Sequence, residues 1–139
     1  MHQTATILLV TVCSQDRKKI FSRRSSLDAV VSAWKAEGQW LVGRFILMPD
    51  HIHFFCAPGR FPEPRFDLWM RKWKARASRK WPVSAEHPIW QRGHWDRQLR
   101  DAAHYGERWD YVRANPVRAG LCENPDDWPW QGEIHDLMI

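Results

Sequence analysis

Residues 4–13, Thr-Ala-Thr-Ile-Leu-Leu-Val-Thr-Val-Cys, carry no charge, glycine or proline. A run this continuous and this rich in β-branched side chains predicts a central strand buried on both faces. Its apolar part is too short to span a bilayer and lacks a cleavage pattern, so it is read neither as an anchor nor as a signal peptide.

The elements that follow are legible from their periodicity. Arg17, Lys18, Lys19, Arg23 and Arg24 cluster in a polar loop. Ser25 or Ser26 offers an N-cap to a helix reaching about Glu37, with Leu27, Val30, Val31 and Trp34 on one face and Gly38 as its stop. Residues 40–48 and 51–57 predict two strands joined by a tight turn at Pro49-Asp50. Pro58, Gly59, Pro62 and Pro64 mark a rigid loop. A second helix is predicted over about 65–80, because Phe66, Trp69, Met70, Trp73 and Ala77 recur at spacings of three and four. Arg71, Lys72, Lys74, Arg76, Arg79 and Lys80 fill its other faces with no acid after Asp67, which fits a face that tracks phosphates. Residues 89–100 predict a strand broken at Gly93. The order β-α-β-β-α-β is the α+β, ferredoxin-like split β-α-β pattern. It predicts an antiparallel sheet with both helices on one face, its other face open to a ligand, and a C-terminal helix beyond.

At 139 residues, 44% of them apolar, the chain fits one folded domain over 1–139, with a core over about 4–121 and a short tail over 122–139. The formal charge of +5 leans toward phosphate-rich partners. Ten tryptophans are many for this length; most are expected in the core and a few against unpaired bases. Cys13, Cys56 and Cys122 are far apart and form no CxxC pair, which argues against a zinc–thiolate site. Free thiols fit a reducing compartment, so the expected location is cytoplasmic, with no membrane partner.

Chemistry-bearing residues gather in two stretches. In Met48-Pro49-Asp50-His51-Ile52-His53, the two histidines share one strand face and can hold a divalent metal with two positions fixed. A helix over about 101–114, capped by Asp101 and ended by Asn115-Pro116, has a core stripe of Tyr105, Trp109 and Val112. His104, Arg108, Tyr111 and Asn115 form a second, wholly polar or ionisable stripe. The chain has two tyrosines; Tyr105 falls with the apolar residues, so Tyr111 is the candidate nucleophile.

Three motifs occur in order: Met48-Pro-Asp-His-Ile-His53, the stretch from Trp90-Gln-Arg-Gly through Arg100, and Tyr111-Val-Arg-Ala-Asn-Pro-Val-Arg-Ala-Gly-Leu121. Together they resemble the HUH single-strand DNA nucleases with one catalytic tyrosine, and among them the REP-associated tyrosine transposases. The resemblance implies a metal held by His51, His53 and Asn115, with Tyr111 as nucleophile. It implies cleavage of hairpin-bearing single-stranded DNA, such as REP palindromes, through a 5′-phosphotyrosine, followed by strand transfer. Two neutral nitrogen donors and one neutral oxygen donor suit Mg²⁺ or Mn²⁺. The basic residues named above and Arg108 are the expected DNA contacts, and the protein is expected to act as a monomer or homodimer. Two positions depart from the family pattern: Asp50 stands where Asn is usual, and Arg97 stands about where a further histidine is usual.

Two other readings compete. A non-catalytic single-strand binding module would use an open RRM-like sheet, but the strands carry no matching aromatic pattern. A metal-dependent hydrolase would use His51 and His53 with Asp50 or Asp96 and would need no tyrosine.

Overall fold

The structure, a computed structural model, describes residues 6–137. Strand β1 spans Ile7–Cys13, helix α1 Arg24–Ala36, β2 Trp40–Leu47, β3 His51–Pro58, α2 Phe66–Arg79, β4 Trp95–Leu99, α3 Ala102–Arg113, α4 Asn115–Arg118 and β5 Gln131–Glu133. The sheet is antiparallel throughout, in the order β4-β1-β3-β2-β5. Its first four strands have the predicted ferredoxin-like arrangement. Residues 4 and 5, the expected start of β1, lie outside the described residues.

Side-chain alternation assigns each strand residue to one of two cores. On β3, Ile52, Phe54 and Cys56 enter one core with Val10 and Val12 of β1 and the apolar stripes of α1 and α2. Phe55 and Ala57 point the other way, into a second core with Ile7, Leu9, Ile46 and Leu99. Tyr105, Trp109 and Val112 of α3 close this second core. The sheet face expected to be open is therefore covered over Ile7, Leu9, Phe55, Ala57 and Leu99, where β1 is buried on both sides, and stays open only beyond them, at Thr11, His53 and Trp95.

The stretch expected as a short tail also contributes. Trp128 and Leu137 enter the second core, and β5 pairs with β2 through Arg44↔Glu133, Phe45↔Gly132 and Ile46↔Gln131. Trp128 Nε1 donates to the Leu47 carbonyl at 2.9 Å.

Helix α1 begins without a side-chain cap. Ser26, one of its expected caps, lies buried inside the first turn, and its hydroxyl donates to the Ile20 carbonyl at 2.5 Å. Asp101 does cap α3, accepting the His104 N–H at 2.9 Å. Gly93 takes φ +83° at the predicted break, leaving only a single Ser14↔Trp90 bridge before β4 begins. No helix among the described residues is long and apolar enough to cross a membrane.

Candidate active site

The site forms where the second core runs out. His51 and His53 share the face of Phe55 and Ala57, but α3 ends before it covers them. The imidazoles lie edge to face, 4.9 Å between ring centroids. Beside them opens a cleft of about 310 Å³. Thr11 and His53 floor it, Trp95 and Arg97 come from β4, and Tyr111 and Asn115 come from the α3–α4 end. His51 reaches the cleft through its contact with His53 rather than as part of the lining.

Neighbouring side chains occupy one nitrogen of each ring. His51 Nδ1 lies 2.7 Å from Asp50 Oδ1, and Arg17 Nε donates to Asp50 Oδ2 at 3.0 Å. Burial alone would raise the Asp50 carboxyl, but the bonds from His51 and Arg17 outweigh it and hold it below the usual range. An ionised carboxylate only accepts, so His51 donates from Nδ1, and Nε2 is the ring nitrogen that faces no such partner. His53 Nδ1 lies 2.8 Å from Thr11 Oγ1, which again leaves Nε2 for a ligand. Burial first, then His51 and Arg118, lower the His53 pKa to about 3, so its imidazole is neutral. These are the conditions under which imidazole ligates a metal, with partners that set tautomer and ring orientation.

The break between α3 and α4 places the nucleophile candidate. Ala114 stays in helical conformation, and Pro116 sits in the first turn of α4. Tyr111 is 56% exposed, whereas Tyr105 is buried and accepts the Arg44 N–H at 3.1 Å. The Arg118 guanidinium lies 4.0 Å from the Tyr111 ring centroid, and that of Arg108 lies 5.0 Å away. Arg118 also donates to the Tyr111 carbonyl at 2.7 Å and to Asn115 Oδ1. Among the described residues, no three His, Cys, Asp or Glu side chains cluster as a cation site; Asn115 is an amide oxygen donor that lines the same cleft as His53.

The sequence reading missed Arg118, Thr11 and Trp95. Arg118 lies seven residues after Tyr111, two helical turns away, but the intervening Asn115-Pro116 signalled an end to the helix. Thr11 is identified only by strand register, opposite His53.

The basic residues divide by position. Lys18 Nζ donates to the Glu86 and Pro88 carbonyls, Arg23 pairs with Glu86, and Lys74 Nζ donates to the Gly93 carbonyl. Arg76 pairs with buried Glu37 at 2.8 Å. These four hold the fold together, and Arg17 is engaged by Asp50. Arg24 lies over Trp130, and Arg71 lies 3.9 Å from Asp67. Lys72, Arg79 and Lys80 are exposed on α2, which packs on the sheet face opposite the cleft, and Lys19 is exposed in the loop before α1. Of the basic residues expected to contact DNA, Arg108 is the one that lines the cleft. His104 stays at the start of α3, its Nδ1 accepting the Arg100 N–H at 3.3 Å. Asp96, the hydrolase alternative to Asp50, faces away from the histidines and lies 3.1 Å from His94 Nε2.

No protein-family profile matches the chain. Two curated relatives do. A protein of Haemophilus influenzae, provisionally named a REP-associated tyrosine transposase, is 28% identical over 104 residues, covering 66% of this chain and 57% of the relative. The REP-associated tyrosine transposase of Escherichia coli K12 is 25% identical over 103 residues, covering 74% of this chain and 60% of the relative. The chain thus spans less than two thirds of the length of either. Among solved structures, a REP-associated tyrosine transposase bound to a REP hairpin superposes with a TM-score of 0.72 at 18% identity, over 94% of this chain and 82% of that one. A provisionally assigned transposase from Deinococcus radiodurans gives 0.57 at 10% identity, over 80% of this chain and 91% of that one. In sequence and in fold alike, the chain resembles the REP-associated tyrosine transposases, the family to which its three motifs pointed.

Proposed function

We propose that the cleft is the active site of a single-strand DNA endonuclease and strand-transferase that acts on hairpin-bearing DNA such as REP palindromes. One observation carries the reading: His53, Tyr111 and Asn115, distant in sequence, line the same cleft, with His51 against His53. The names of the two relatives and the hairpin bound to the structural neighbour support the same substrate class.

The donors fit a small divalent cation, Mg²⁺ or Mn²⁺. They are Nε2 of His51, Nε2 of His53 and the Asn115 amide oxygen, whose second lone pair remains beside its bond from Arg118. When bound there, such a cation draws charge from a phosphate oxygen. Tyr111 supplies the nucleophile: its Oη bonds to phosphorus and the P–O3′ bond breaks. The electron pair leaves on O3′, which ends with the phenolic proton. The products are a 5′-phosphotyrosine and a free 3′-OH. A second 3′-OH reverses the step without ATP, because the phosphotyrosine conserves the energy of the phosphodiester. Arg108 and Arg118 place two cations beside the charge that Tyr111 acquires.

The experiment is incubation of the protein with hairpin-bearing single-stranded DNA and Mn²⁺, followed by a denaturing gel. The expected result is a covalent protein–DNA adduct that Tyr111→Phe abolishes. Cleavage surviving in Tyr111→Phe would assign the site to a tyrosine-independent hydrolase. DNA binding without cleavage under any divalent metal would assign it to a binding module.

A further inference from the structure

Of the ten tryptophans, nine have a ring, cation or hydrogen-bond partner in the structure. Trp95 is the exception. It is 60% exposed, and neither its ring nor its indole N–H has such a partner among the described residues. Its position in the sheet is informative. Register sets Trp95 opposite Thr11, and Thr11 opposite His53, so the three form one row across β4, β1 and β3 on the cleft face. Trp95 therefore stands two strand spacings from His53, about 10 Å, within reach of one nucleotide. Arg97, two residues along the same edge strand, turns its charge to the same side.

We infer that Trp95 is the stacking platform for an unpaired nucleobase flanking the phosphate bound at His53 and Tyr111, with Arg97 meeting the backbone beside it. This rests on the single-strand DNA reading of the cleft and adds a base subsite to it. An indole left bare on an edge strand contributes little to the fold, whereas a flat ring beside a cationic cleft suits a base that has left its stack. Stacking tolerates any base, so the subsite selects for the unpaired state rather than for sequence.

The test is fluorescence anisotropy with a labelled DNA hairpin carrying single-stranded flanks, in the Tyr111→Phe background so that nothing is cleaved. Trp95→Ala should weaken binding about tenfold, Trp95→Phe less, and neither should change the melting temperature. Because stacking releases no counterions, the slope of log affinity against log salt should stay unchanged in Trp95→Ala. A series of flanks with one abasic position each locates the subsite. One position should weaken the Trp95-containing protein by the same factor and leave Trp95→Ala indifferent. Equal affinity with and without Trp95, or a loss in Trp95→Ala that no abasic position reproduces, would overturn this inference alone. Failure of the Trp95-containing protein to bind the hairpin at any salt would overturn the reading of the cleft and the inference with it.

Discussion

Burial and a few near neighbours set the chemistry of the side chains at the site. His53 is half-buried beside Thr11, and its pKa of about 3 lies below the ordinary value of 6.5. Between those two values the unfolded chain takes up a proton that native His53 refuses. Stability should therefore fall as pH drops from about 6.5 toward 3 and be independent of this group above that window. Urea unfolding across the window should show the slope in the wild type and a weaker one in His53→Gln. Tyr111 and Tyr105 differ by exposure and partner. Tyr105→Phe should leave adduct formation near the wild-type level and lower stability by about 1 kcal/mol, since the Arg44 N–H loses its acceptor. Asp50 orients His51, so Asp50→Ala should weaken Mn²⁺ binding by about 10–100-fold; titration calorimetry without DNA measures this apart from cleavage.

At the scale of elements, α3 is the part whose placement decides the site. Its docking depends on Gly43, at the irregularity in the β2–β3 register between Val42 and Phe45. A Cβ there would lie 2.7 Å from the Tyr105 hydroxyl and 2.6 Å from Leu137 Cδ1. Gly43→Ala should therefore push α3 off the sheet, lowering stability by about 1–3 kcal/mol and slowing adduct formation although no cleft residue is touched. Asp101→Ala removes the N-cap of α3, one turn before Tyr105, and should lower stability by about 1 kcal/mol, read by thermal unfolding. At the broken α3–α4 junction, Arg118 adds a bridge through the Tyr111 carbonyl and Asn115 to the packing of Val112 in the second core.

For the molecule as a whole, the sheet separates two kinds of basic surface. Lys72, Arg79 and Lys80 lie on the α2 layer, whereas Arg97 and Arg108 line the cleft. If DNA follows the cleft, changing Arg97 and Arg108 to Gln should flatten the salt dependence of binding by roughly 1.4 in log–log slope, about 0.7 per phosphate contact. The same change at Lys72, Arg79 and Lys80 should leave the slope as it was. Arg76 does not belong in that comparison, because removing it leaves buried Glu37 without its partner. Deleting residues 122–139 removes Trp128, Leu137 and β5, and it should abolish cooperative unfolding rather than trim a loose end.

Local pattern by itself determined the first four strands, the stripes of α2 and α3, the Asp101 cap and the break at Gly93, because each depends on spacing or on one residue's backbone preference. It also set His51 and His53 on one face and separated Tyr111 from Tyr105, since periods of 2 and 3.6 are properties of the chain alone. The double burial of β1 was legible too, and it already argued against an open sheet face. What tertiary structure decided was which surfaces meet. Whether α3 covers the sheet, whether residues 122–139 join the core and whether a lysine points to solvent or to a carbonyl all depend on long-range contacts that no local period encodes. The same holds for Thr11 beside His53, for Arg118 over Tyr111 and for Trp95 in their row. Those contacts arise from strand register and helix docking, and register is a relation between segments.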